Sequence, residues 1–140
     1  DMDFPTEIVV LTCLMLLAAS LWIPFIAGSA KDAGAVDGFG RPHDLTQMKP
    51  WVHRAFRAHL NLLEQAMPFA VLVLIVDRMD GFTALTTWTA IAFFWLRVAH
   101  AVGMISGIAK MPLRPLIFLG GWICCLIMGY AVFAAGFAAS

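Results

Sequence analysis

Apolar residues fill four long stretches of the chain, and the polar residues collect in the connections between them. Ile8–Ala30 carries no charge over 23 positions. At about 1.5 Å of rise per residue, that length crosses a hydrocarbon core about 30 Å thick. This run predicts a first helix over about 8–30, with Pro24 kinking its last turns. Lys31–Pro50 is a polar connection rich in Gly, Asp and Pro, long enough to cover something in so small a protein. The pattern then predicts helices over about 51–76, 82–108 and 112–138. Asp77–Gly81 forms a tight interfacial turn, and the sequence AKMP, Ala109–Pro112, forms another. The expected fold is all-α, a four-helix transmembrane bundle. Small residues in the last two spans, including Gly120, Gly121 and the row Ala99, Gly103, Gly107, predict close helix approach.

The second span departs from a plain apolar pattern. Its polar positions Arg54, Arg57, Asn61 and Glu64, followed by Pro68, are spaced by three and four residues. At about 100° per residue they share an arc of roughly 80° on one helix face. Ionisable groups inside a membrane are costly and normally face a protein interior or a wet cavity. A depth argument extends the stripe. Asn61 lies 16 residues before Asp77, and Arg97 lies 16 residues after Gly81. Both are therefore about 24 Å from the same surface. Antiparallel neighbours then bring Arg57, Asn61 and Glu64 level with Arg97 and His100, with Lys110 and Arg114 at the rim. Such a cationic pocket with one carboxylate suits a small polyanion carrying an amine. The same spacing also fits an internal network in which Glu64 pairs with Arg57 or Arg97, and His100 serves as an interhelical donor.

Composition narrows the class. The chain is 61% hydrophobic and 13% charged, about half the charged fraction of an average soluble domain. Formal net charge is zero and no basic tract is present, which argues against a nucleic-acid partner. The first apolar run is too long for a signal peptide and lacks a basic leader, so it reads as a retained helix. Basic residues cluster in the first and third connections, which predicts those connections in the cytoplasm and both termini outside. Cys13, Cys124 and Cys125 lie in apolar runs and suggest no disulfide framework, only packing thiols. No spacing resembles a metal site, a phosphate loop or a serine-nucleophile motif. The tryptophans read as packing or interface anchors.

Two segments carry a family resemblance. RAHLNLLEQAMPF (Arg57–Phe69) resembles the second-helix signature, and WLRVAHAVG (Trp95–Gly103) the third-helix signature, of the membrane-associated proteins in eicosanoid and glutathione metabolism (MAPEG). The form WxxRAxRAHxNLLE is most similar to the bacterial branch. The resemblance covers nearly the whole chain and implies a homotrimer in the bacterial inner membrane, with glutathione as co-substrate between subunits on the cytoplasmic side. It implies Arg57, Asn61, Glu64, Arg97 and His100 as glutathione-site residues, and Arg114 as the catalytic arginine that stabilises the thiolate. Against the family pattern, Leu60 stands where some members carry an arginine. Met104 and Phe118 stand where tyrosines are common, and Pro115 replaces a small polar residue.

The function expected on these grounds is a glutathione-dependent transferase or peroxidase acting on hydrophobic electrophiles in the lipid bilayer. The alternatives are a non-catalytic lipid- or lipophile-binding protein using the same pocket, and a structural subunit held by an internal polar network.

Overall fold

The computed structural model describes residues 4–33, 49–108 and 113–140. Most of the first connection, with Arg41 and His43, lies outside the described residues, as do Lys110 and the AKMP turn. The rest forms five helical segments: α1 (Thr6–Ser20), α2 (Trp22–Ala33), α3 (Pro50–Arg78), α4 (Ala84–Ser106) and α5 (Leu113–Ala139). Because α1 and α2 together make one span, these segments form four helices long and apolar enough to cross a membrane. The prediction of an all-α, four-span membrane bundle is borne out.

Local chemistry explains the boundaries. The first span breaks at Leu21, between α1 and α2. Pro24, three residues on, has no N–H for the Ser20 carbonyl, and its ring crowds that carbonyl. α3 starts with Pro50 in its first turn, where the missing N–H costs nothing, and continues through Pro68. Its 29 residues exceed what a bilayer core of about 30 Å requires, so α3 projects beyond it. Asp77 and Arg78, expected in a turn, instead complete its last turn, where a basic side chain complements the helix dipole.

α4 begins and ends two residues inside the predicted limits. A capping box accounts for the start: the Thr83 hydroxyl accepts from Thr86 N–H, and the Thr86 hydroxyl accepts from Thr83 N–H. Gly107 stops the helix in a left-handed conformation with φ 81°, so it is a cap and not the end of a packing row.

α3 is the spine of the bundle. Val52, Ala55, Ala58, Leu62, Phe69 and Val73 recur at helical spacing and are fully buried against the other spans. Phe69 of α3 stacks on Phe93 of α4 with centroids 3.9 Å apart. Leu14 of α1 and Met128 of α5 close the same core from either side. Buried Glu7 ties α1 to α4 by accepting from the Thr86 hydroxyl at 2.7 Å. The outer surface is apolar, with Trp88, Trp95, Leu116 and Phe137 exposed, as befits contact with lipid. The core therefore fixes α3, α4 and α5 side by side, and the polar residues of these three helices meet inside.

Candidate functional site

Arg97, midway along α4, is the largest fully buried side chain among the described residues. A guanidinium at this depth cannot face hydrocarbon, so α4 turns it inward against α3, where side-chain acceptors are in reach. Its Nη2 donates to Asn61 Oδ1 at 2.7 Å and its Nη1 to Gln65 Oε1 at 2.9 Å. Nη2 also lies 3.5 Å from His100 Nδ1, one turn along α4. The contact with Asn61 is the one expected from their equal depth. Its charge lies within electrostatic reach of Glu64 and Cys125, but among the described residues no ion pair joins Glu64 to Arg57 or Arg97. The internal salt-bridge arrangement open from the spacing is therefore not the one adopted.

Gln65 was not singled out by spacing, although it is central. It is buried, and its Nε2 donates to the Phe118 carbonyl of α5 at 2.9 Å. One side chain thus links α3, α4 and α5. At about 100° per residue Gln65 lies about 40° past Asn61 around α3, whereas Glu64 lies about 60° short of it on the other side. Its amide, four residues after Asn61 and so near the same helix face, was the available signal. Gly121 makes room for it, since a Cβ there would coincide with the Gln65 amide. The small residue in α5 serves this side chain and not a bare helix–helix approach.

Beside this buried group lies a cavity of about 470 Å³. Arg57 and Asn61 of α3, His100 of α4 and Arg114 of α5 supply its polar wall. Met104, Pro115, Phe118 and Leu119 supply the apolar wall. Four of the six expected site residues therefore surround one space. The other two stand elsewhere. Arg97 is behind the wall, because burial among acceptors satisfies it better than an open cavity. Glu64 is exposed and outside the lining, because its helical position turns it away from α4.

Arg54, the first residue of the polar stripe, is also not in the lining: its Nε donates to the Ile105 carbonyl at 3.4 Å, at the C-terminus of α4. A cation there complements the negative end of the helix.

The profile of the MAPEG family matches residues 9–134. The chain belongs to the MAPEG family. The match runs through all four spans and includes every residue of the cavity wall. Membership identifies a multi-pass membrane protein of a group associated with glutathione-related activity. A search of curated proteins found no match. Against the MAPEG pattern, three of the four departures, Met104, Pro115 and Phe118, fall on the apolar wall of the cavity. The fourth, Leu60, is 41% exposed and outside it. Departures from the family thus concentrate on one side of the candidate site. Cys124 is buried and Cys125 half-buried, neither in a disulfide, consistent with packing thiols.

Proposed function

We propose that the protein is a glutathione-dependent transferase or peroxidase acting on hydrophobic electrophiles that reach it from the membrane. The supporting observation is the cavity itself: two arginines, an asparagine and a histidine from three helices face one apolar wall, in a chain of the MAPEG family. Arginine forks suit carboxylates, so Arg57, with Asn61 and His100, grips the acidic ends of glutathione. Arg97 acts from behind by holding Asn61 and His100. Glu64, on the exposed flank, receives the ammonium.

Arg114 stands in the first turn of α5, where backbone N–H groups and the helix dipole also favour negative charge. It stabilises the thiolate, since nearby positive charge favours the ionised thiol. The sulfur then attacks an electrophilic carbon, a carbon–sulfur bond forms, and the leaving group departs with its bonding pair. The assembly we infer is a homotrimer in the bacterial inner membrane, with glutathione bound between subunits. Basic residues near the span ends orient both basic connections toward the cytoplasm and both termini outside.

Met104 and Phe118 favour a second reading, because an apolar wall without hydroxyl donors suits a lipid or lipophile bound without catalysis. Calorimetry with glutathione, followed by conjugation of a chlorinated nitrobenzene, separates the two. Binding lost in Arg57→Ala and Glu64→Ala, with turnover lost in Arg114→Ala, supports the enzyme. Lipid binding with no response to glutathione supports the second reading.

A further inference from the structure

Arginine carries five N–H donors and no acceptor, whereas asparagine, glutamine and neutral histidine each carry both. Whatever faces Arg97 must therefore turn an acceptor toward it. At Asn61 this is Oδ1 and at Gln65 it is Oε1, which turns the oxygen of each amide toward the guanidinium and its NH2 group toward other partners. Gln65 spends that group on the Phe118 carbonyl. Asn61 lines the cavity, so its NH2 is what it can offer there. At His100 the nitrogen nearest the guanidinium is Nδ1, and the tautomer that can accept from it has the lone pair there and the proton on Nε2. His100 also lines the cavity. The remaining polar side chains of the wall are Arg57 and Arg114, which only donate. Among the described lining residues, no side chain is a carboxylate or a hydroxyl.

We infer that Arg97 is a positioning residue that sets the hydrogen-bond polarity of the cavity: it holds Asn61 and His100 so that the polar wall offers donors only. The guest chemistry selected is one rich in acceptors, with several carboxylate, sulfonate or carbonyl oxygens, and any ammonium it carries must lie outside the wall. The orphaned Nε–H of Arg97, buried without a partner, shows that acceptors are already short around this guanidinium. A further consequence concerns His100. With its lone pair facing a fixed cation, it acts as a donor to the guest and not as the base that takes a thiol proton. The inference uses the cavity of the proposed function but does not depend on glutathione being the guest.

The test has two readings. Nitrogen NMR of the wild-type protein, labelled at histidine, is expected to show His100 with Nδ1 unprotonated and Nε2 protonated. In Arg97→Met that preference is lost, and Arg97→Lys, which still donates, restores it. Calorimetry uses glutathione sulfonate, a permanent polyanion, as the probe. Binding is expected to fall about tenfold or more in Arg97→Met, the size of one charge-assisted hydrogen bond, and to recover in Arg97→Lys. A proton on Nδ1 of His100 in the wild type would overturn the inference, and so would equal losses in the Lys and Met variants. Should Arg97→Met fail to fold, the wild-type tautomer still decides. If the tautomer is as expected but the sulfonate does not bind, the proposed function fails while the polarity assignment stands.

Discussion

Replacing Gln65 with leucine removes one acceptor from a fully buried cation and one bond between α3 and α5, at nearly constant volume. Arg97 already has Nε without a partner, so the substitution leaves a second donor, Nη1, unsatisfied. A hydrogen bond to a charged group is worth about 1.5–3 kcal/mol. The bond to the Phe118 carbonyl is neutral and interhelical, worth about 0.6 kcal/mol in membrane proteins. The expected destabilisation is therefore about 2–4 kcal/mol, or a shift of more than tenfold in the unfolding equilibrium. It is measured by titrating the purified protein from mild detergent into sodium dodecyl sulfate and following helix content. Leu63→Ala on the exposed face of α3 is the reference, with almost no change expected. Adding Arg97→Met to Gln65→Leu should recover part of the loss, because removing both partners leaves fewer groups unsatisfied than removing one. A loss below about 0.5 kcal/mol for Gln65→Leu, or a further full loss in the double variant, would refute the reasoning.

Gly121→Val places a side chain where the Gln65 amide lies, so it should reproduce the Gln65→Leu destabilisation and add little to it when both are combined. Thr86→Val removes the hydroxyl that donates to buried Glu7 and completes the α4 capping box; a loss of about 1–3 kcal/mol is expected in the same titration, with Thr86→Ser retaining most of the stability. Gly107→Ala forces a side chain into the left-handed cap and should cost about 1 kcal/mol, seen as faster amide exchange in the last turn of α4.

How far the candidate site was legible depended on the kind of residue. Charged groups inside apolar runs stand out because the bilayer excludes them unless something requires them, and equal distances from a shared turn then set Asn61 beside Arg97. Gln65 carries no charge and fell on the inner edge of the stripe, so the pattern of charges did not separate it from its neighbours, and only its spacing from Asn61 pointed to it. Glu64 shows the reverse: a carboxylate on the right stripe, but on the edge that turns from α4. Likewise Gly107 shares the spacing of a packing row, yet its φ makes it a cap, and dihedral angles are not written in spacing.

The linear order of residues determined that this protein lives in a membrane, how many times it crosses, and which spans carry polar groups. Those follow from hydropathy over about 20 residues and from the rise of a helix, which are local properties. Only the packing of α3, α4 and α5 decided which polar groups face the cavity and which stand behind it. A buried guanidinium seeks every acceptor within reach, and the count of those acceptors depends on side chains that three separate helices bring to one point.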